Sequence, residues 1–346
     1  MRFYDLKVLN AKTGATMLRS TSYPGGVGGG ATGPAFFGAT AAAFGIPGLT
    51  QSPYDPGALN VIFDVFVYPQ HTPMGGSAIT LEGLPPAFLT NAQQFSGQQL
   101  ELRGGMGPGL PLAKPAQAGL LLQGTILQAY GNWVGTEIYG AFVVNASTFT
   151  LENPGNFVLN WTAGTALATA LKNTLSVVYP TATISMNIGN VVQSFDEKHV
   201  CATLSNLARL LHDITPTQVQ IVINGDTIFV FDATYKLKPK QISFEDLIGQ
   251  PQWIKPQIIQ ARFTMRADLQ VGDTIEFPEA AGSGPGGLGG FVTTAQSAVP
   301  SMTNYQSAIS GSFNVTAIRH IGNLRQPNGN DWCTVVYAAV PSPSPS

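Results

Sequence analysis

The sequence predicts a mainly β protein in which a small α+β insert separates two β-barrel domains. Short runs of β-branched and aromatic residues, separated by turn-forming residues, recur over residues 1–155 and again over 236–346, which is typical of strands. Apolar residues with helical spacing occur between them, in residues 156–235. We therefore expect three domains with these boundaries, and a chain of 346 residues is long enough to divide in this way.

Residues 1–155 predict a β-barrel with one long loop. The run NVIFDVFVY at 60–68 is rich in β-branched and aromatic residues and stops at Pro69, as strands do. Gly131-Asn132 separates two β-rich runs and predicts a hairpin turn. The Gly/Ala-rich segment 23–57 is either an ordinary loop or one that becomes ordered against a neighbouring subunit. The predicted strands are 3–9, 60–68, 77–81, 99–102, 118–129 and 134–144.

Two helices are predicted in residues 156–235. The first has Thr162 as its expected N-cap, and the second opens with the capping-box pattern Ser194-Phe195-Asp196-Glu197. A helix at this point would place His199 and Cys201 on different faces, because residues two apart do not share a helix face. The two expected buried stripes are Leu167, Leu171, Leu175 and Val178, and Val200, Leu204, Leu207 and Leu211.

The remaining elements are short strands. Asn224-Gly225 lies between two β-rich runs, 219–223 and 226–231, and is the strongest hairpin signal in the chain. A glycine-rich loop at 282–290 and a disordered Pro/Ser tail from 341 complete the sequence. The other predicted strands are 157–161, 182–188, 258–265, 273–277, 312–318 and 332–338.

The composition is poor in charge. Charged residues make up 10% of the chain and the net charge is -2, whereas about 25% is usual. This excludes a disordered chain, which needs high net charge, and a strongly basic nucleic-acid binder. Low charge suits a subunit buried in an assembly, so we expect the stretch between Arg19 and Arg103, which has no basic residue, to be buried only after assembly.

The two cysteines favour synthesis in a reducing cytoplasm, and no signal peptide or membrane span is expected.

No chemical site is predicted. Two G-x-G-x-x-G matches, at 28–33 and 284–289, lack the strand before and the helix after that a phosphate site needs. Four histidines and two scattered cysteines offer no metal-ligand spacing, and a buried thiol with solvent-facing histidines is the simpler interpretation. No nucleophile elbow occurs. We therefore expect no catalytic, cofactor-binding or metal-binding residues, no cofactor and no enzymatic activity.

Three stretches of the last third resemble a known family. They are SFEDLIGQPQWI at 243–254, RFTMRADLQVGDTIEFP at 262–278, and FNVTAIRHIGN at 313–323 followed by WCTVV at 332–336. Together, and in this order, they resemble the baseplate hub proteins of contractile-tailed bacteriophages, the group that includes late-control-D-like proteins. The resemblance covers roughly residues 240–340, and the middle of the chain fits by architecture only.

The resemblance implies a structural role in the virion. Hubs of this family are homotrimers in which each subunit has two β-barrels similar to those of the tail tube. Six barrels form a pseudo-sixfold ring that docks on the hexameric tail tube, and the other side presents threefold symmetry to the central spike. Other baseplate subunits are further partners, genomic DNA passes through the lumen without sequence-specific binding, and assembly takes place in the host cytoplasm. No lysozyme-like insertion or spike helix is visible in this sequence.

Two other functions remain open at this stage. The first is another tail structural subunit, such as a distal-tail or tube-initiator protein. The second is a β-rich receptor- or glycan-binding module, which would need a cluster of exposed aromatic residues. The four tryptophans are scattered through predicted strands and helix starts, at Trp133, Trp161, Trp253 and Trp332.

Overall fold

Strands predominate in the part of the chain that the structure, a computed structural model, describes. The described residues are 2–22, 58–72, 76–106, 117–149, 156–235, 237–277, 293–294 and 311–341. The predicted mainly β class is confirmed. The loops predicted at 23–57 and 282–290, both glycine motifs and most of the Pro/Ser tail lie outside these residues.

Among the described residues, seven antiparallel strands form the N-terminal β region, in the order β3-β4-β7-β6-β5-β1-β2. All six predicted strands are found here, and β2 is an additional one. A short helix α1, Ala87–Asn91, and a 3-10 turn, Ala92–Phe95, precede β5. The strands are β1 Arg2–Leu9, β2 Thr16–Thr21, β3 Asn60–Val67, β4 Ser77–Glu82, β5 Gln99–Met106, β6 Gly119–Val134 and β7 Glu137–Asn145.

The hairpin turn predicted at Gly131-Asn132 is wrong. Strand β6 continues through these residues, and the chain reverses at Gly135-Thr136, where Val134 pairs with Glu137. Gly135 has a φ of 61°, a conformation that glycine adopts without strain. Gly131 instead allows helix α1 to pack closely against β6, because a Cβ at this position would lie 3.0 Å from the Leu89 Cα.

The N-terminal β region is curled around one hydrophobic core. All seven strands contribute buried residues to it, including β2 and β3 at the two ends of the strand order. The Tyr4 hydroxyl donates to the Leu59 carbonyl oxygen at 2.8 Å and lies 2.6 Å from the Ser20 hydroxyl, which links β1 and β2 to the start of β3. Phe63 and Leu81 belong to this core, so the expectation of burial only on assembly is wrong for the described residues between Arg19 and Arg103. Residues 23–57 of this stretch lie outside the described residues.

The C-terminal β region continues the same sheet, which has 14 strands in the part of the chain that the structure describes. Its order is β18-β19-β15-β14-β17, with β16 pairing β18 and β13. It contains every strand predicted there and surrounds a second hydrophobic core. Two 3-10 turns, Phe244–Asp246 and Gly329–Asp331, lie between strands. The strands are β13 Lys240–Gln241, β14 Gln252–Lys255, β15 Ile258–Thr264, β16 Thr274–Phe277, β17 Thr293–Thr294, β18 Gly311–Asn323 and β19 Trp332–Ala339.

Strand β18 joins the two β regions. Its first residues pair with β16, its last six, from Ile318 to Asn323, pair with β3, and its other edge pairs with β19. The Arg319 guanidinium binds the Asp64 carboxylate of β3 at 2.7 Å and 2.5 Å. The two β regions are therefore one hydrogen-bonded sheet with two cores.

The elements from β8 to β12 pack as an α+β unit around a third core. Strand β9 pairs in parallel with β12 of the β11-β12 hairpin, and β8 pairs with β10 in a separate two-stranded sheet. Helices α2 and α3 pack on these strands. The elements are β8 Phe157–Trp161, α2 Leu167–Val178, β9 Thr183–Asn187, β10 Glu197–Cys201, α3 Leu204–Ile214, β11 Gln220–Asn224 and β12 Thr227–Phe231.

Both predicted helix starts in this unit are wrong. Helix α2 has Ala166 at its N-cap, and the Thr162 hydroxyl bonds the Thr165 hydroxyl instead. The capping-box pattern at 194–197 leads into strand β10, and α3 begins later, where the Thr203 side chain accepts from the Asn206 N–H. Val200 is consequently exposed rather than part of a buried helix stripe.

A buried polar network lies where the two β regions meet. Arg266 on the C-terminal side donates to Asp246 at 3.4 Å and Asp268 at 2.7 Å, and Asp246 also accepts from Gln117 of the N-terminal region. The Thr334 hydroxyl lies 3.0 Å from the His320 Nδ1. Complete burial lowers the pKa of His320 to about 3, so the folded protein holds this imidazole neutral.

Acid should therefore destabilise the fold through His320. The unfolded imidazole, with a pKa near 6.5, takes up a proton as the pH falls below that value, while the folded imidazole does not until about pH 3. The free energy of unfolding should fall by about 3 kcal/mol from this residue between pH 7 and pH 4. His320→Gln removes the titrating group. It should reduce the dependence of the free energy of unfolding on pH, measured by urea denaturation between pH 7 and pH 4. His199→Gln, at a half-exposed site on β10, is the control, and an equal reduction there would contradict the assignment.

Gly124 should not tolerate a side chain. A Cβ at this position would lie 1.8 Å from the Asn145 carbonyl oxygen and 2.8 Å from its carbon, which are backbone atoms of the paired strand. We expect Gly124→Ala to lower the free energy of unfolding by at least about 3 kcal/mol, measured by denaturant titration. Gly329→Ala, where no atom lies within 4 Å of the added Cβ, is the matched control and should change it by less than about 0.5 kcal/mol. Equal stability of the two variants would show that β6 and β7 do not approach so closely.

Candidate interaction surface

The described residues contain no group of three or more His, Cys, Asp or Glu side chains that could hold a metal ion. Within the same part of the chain, no helix is long and apolar enough to cross a membrane. Cys201 and Cys333 are buried free thiols, and burial raises the pKa of Cys333 to about 11. Such a thiol is held protonated and is a poor nucleophile.

His199 and Cys201 lie on a strand, not on the predicted helix. As residues two apart on β10 they face the same side of their sheet, where the His199 Nε2 lies 3.1 Å from the Glu197 carboxylate. Cys201 packs into the core of the α+β unit. The expectation that they point to different faces is wrong because the local structure has a period of two.

His71 and His212 form a contact that the sequence did not indicate. Their rings stack with centroids 4.2 Å apart, and the Nδ1 atoms of both are buried without a partner. Burial and the neighbouring His212 lower the pKa of His71 to about 4. The stack joins the segment after β3 to helix α3, and the wide separation of the two residues left no local pattern to detect. Neither is the solvent-facing histidine that was expected.

The α+β unit is fixed to the N-terminal β region at the β11-β12 turn. The Gly225 N–H donates to the Gln123 carbonyl oxygen at 3.0 Å, and the Gly225 carbonyl accepts from the Thr148 N–H at 3.0 Å. The Asn224 side chain accepts from the Gln123 N–H at 3.1 Å. This turn therefore bonds to residues that flank the base of the β6-β7 hairpin.

Two groups of neighbouring exposed apolar residues stand out among the described residues, and other exposed apolar side chains are Val177, Val192, Phe195, Ile214, Leu237 and Val340. The first, here named the hairpin tip, is the far end of the β6-β7 hairpin and consists of Tyr130, Trp133, Val134 and Glu137. Trp133 is 69% exposed and Val134 63%. Large aromatic side chains exposed at this level are the residues that most often anchor protein interfaces.

The second place is the outward face of the β8-β10 sheet, here named the valine face. It consists of Val158 and Val200, which are directly paired across the two strands, and of Asn160 and Lys198, which form the next outward pair. Val200 is 75% exposed and Val158 55%. The inward residues of the same strands, such as Leu159, fill the core of the α+β unit.

The other tryptophans are not available for contacts. Trp161, Trp253 and Trp332 are all buried, and Trp332 donates from its indole nitrogen to the Gly105 carbonyl at 2.9 Å. Trp133 is the exception, at the hairpin tip. The tryptophans therefore do not form the exposed aromatic cluster that a glycan-binding face requires.

Comparison with solved structures finds similar folds. The tail protein from Neisseria meningitidis MC58 matches 97% of this chain and 96% of its own, with 8% identity and a TM-score of 0.50. The E. coli c3393 protein, described as a type VI secretion component structurally similar to T4 tail proteins, covers 83% of this chain and 74% of its own, with 9% identity and a TM-score of 0.48. The 43 kDa tail protein of prophage MuSo2 from Shewanella oneidensis covers 82% and 97%, with 5% identity and a TM-score of 0.46.

No protein-family model and no curated protein sequence matches the chain. The correspondence with the meningococcal tail protein extends over nearly the full length of both chains, so it includes both β regions and the α+β unit between them. The expected likeness to tail proteins is therefore confirmed for the fold.

Proposed function

We propose that this chain is a structural subunit of a phage tail, and more specifically a trimeric baseplate hub that adapts the hexameric tail tube to the trimeric central spike. The observation that carries the proposal is the end-to-end fold correspondence with a tail protein, in a chain with two curled β regions in one sheet. In this proposal residues 1–155 and 236–346 are the two tube-like barrels, and residues 156–235 are the α+β domain between them.

The two-core sheet supports the change of symmetry. Three copies around an axis contain six curled β regions, which present six similar elements to a sixfold partner. The three α+β units keep the threefold symmetry that a trimeric spike requires. In each copy, the β18-β3 ladder joins the two β regions. Backbone hydrogen bonds would therefore fix the spacing of these two regions around such a ring.

The surface also supports a role in assembly. Charged residues are 10% of the chain, and the exposed apolar side chains at the hairpin tip and the valine face are available for contacts with other subunits. In this function the chain holds other proteins together and carries out no catalysis. The partners are the tube protein, the spike protein and other baseplate subunits, with genomic DNA passing through the lumen. The protein is then part of the virion and is assembled in the host cytoplasm.

The subunit number in a purified complex tests this function. We expect native mass spectrometry of the chain mixed with its spike protein and its tube protein to give complexes that contain three copies of this chain. Mixtures that lack one partner at a time are the controls, and they show which partner drives trimerisation. A chain that stays monomeric with both partners present would contradict the proposal. Six copies in the complex would instead indicate a distal-tail or tube-initiator subunit.

A further inference from the structure

We propose that protonation of the His71-His212 stack opens one joint between the N-terminal β region and the α+β unit, so that mild acid loosens the fold locally at this point. The joint, here named the histidine joint, has residues 69–72 after β3 on one side, and His212 of α3 with strand β11 on the other. This inference goes beyond the proposed function and does not depend on it.

A short backbone pairing lies beside the stacked rings of the histidine joint. The Gln70 N–H donates to the Ile221 carbonyl oxygen of β11 at 2.8 Å, and Pro69 forms an isolated bridge with Val222. Because proline has no N–H, it cannot donate to extend this pairing. The two rings are 12° from parallel with centroids 4.2 Å apart, so the stack supports the pairing from the side.

The stack accommodates positive charge poorly. The Nδ1 atoms of His71 and His212 are buried and have no partner among the described residues. A protonated imidazole carries a hydrogen on both ring nitrogens, so protonation would leave a buried N–H without an acceptor, which is unfavourable. Two protonated rings at this separation would also repel each other. The closed joint therefore disfavours protonation, and water can hydrate the protonated rings once the joint opens.

The charged groups near the stack do not reverse this preference. Burial and the facing His212 lower the pKa of His71 to about 4, while Asp213 acts in the opposite direction and has the smaller effect. His212 lies in the last turn of α3, where the helix dipole favours positive charge. Arg209, one turn earlier, is exposed and its guanidinium bonds another side chain of α3. Strand β11 and residues 69–72 contribute no further charged or titratable group.

The pH range of the opening follows from the two states of His71. In the open joint its imidazole is in water, where the pKa returns towards 6.5, whereas in the closed joint the pKa is about 4. The open joint therefore binds more protons, and a lower pH shifts the equilibrium towards it. The joint is most stable above about pH 6.5 and weakens as the pH falls towards 4. From pH 7 to pH 5, the open fraction should rise at least about tenfold.

Two other contacts of the α+β unit hold it in place when the histidine joint opens. The Gly225 turn bonds the backbone of Gln123, and Phe231 of β12 packs in the hydrophobic core of the C-terminal β region. Neither of these contacts involves a histidine, so mild acid does not act on them in the same way. The proposed opening is therefore local: residues 69–72 separate from β11 while the protein stays folded.

Amide hydrogen exchange of the full chain tests the opening at single residues. The protection factor of the Gln70 amide, which corrects for the intrinsic exchange rate at each pH, should fall at least about tenfold between pH 7 and pH 5. The Gly225 amide bonds the Gln123 carbonyl oxygen at the other joint and should change by less than about threefold. A Gln70 amide with constant protection would overturn the proposal, and so would an equal fall at Gly225.

Matched variants separate this opening from acid destabilisation elsewhere. His71→Phe keeps a ring in the stack but cannot be protonated, so it should reduce the fall in Gln70 protection to less than about threefold. His71→Gln, which lacks the ring, should show the same loss of pH dependence at a lower protection. His199→Gln removes a half-exposed histidine of the α+β unit and should keep the tenfold fall. A full fall in both His71 variants, or its loss in the His199 variant, would overturn the proposal.

Discussion

The architecture depends on one strand that belongs to two β regions. The thirteen residues of β18 pair with β16 and β19 in the C-terminal region, and the last six pair with β3 in the N-terminal region. Breaking this ladder would separate the two cores at a cost of several buried backbone hydrogen bonds. The β18-β3 ladder therefore fixes the spacing between the two β regions.

Side chains reinforce this joint at its centre. Arg266 is buried and bonds two carboxylates, of which Asp246 is also buried and accepts from Gln117 across the joint. Removal of one partner from such a buried pair leaves an uncompensated charge, at a typical cost of 3–5 kcal/mol. Nearby, the backbone N–H and carbonyl of Arg266 both bond the Thr334 hydroxyl, which also contacts the neutral His320. The Arg266 guanidinium and the Thr334 hydroxyl thus both have partners within the protein.

Most strands could be predicted because alternation of apolar and polar residues is a local property. The run at 60–68 became β3, and the Asn224-Gly225 signal marked a real hairpin. Local patterns failed where tertiary contacts determined the structure. Gly131 is not a turn residue but makes room for α1, and the segment from Ser194 to Glu197 leads into a strand that pairs with β8 rather than into a helix.

The β18-β3 ladder joins residues about 255 positions apart, and the His71-His212 stack is similarly long-range. No window of sequence contains either. The hairpin tip and the valine face could not be predicted for the same reason, since exposure depends on what the rest of the fold leaves uncovered.

We propose that one chain supplies two adjacent positions of a six-position ring. Electron cryomicroscopy of the assembled tail tip, with this chain located by its fold, tests it most directly. We expect three copies around the tail axis, with their six β regions at one level and the α+β units related by threefold symmetry. A map that shows six copies, or copies away from the axis, would contradict it.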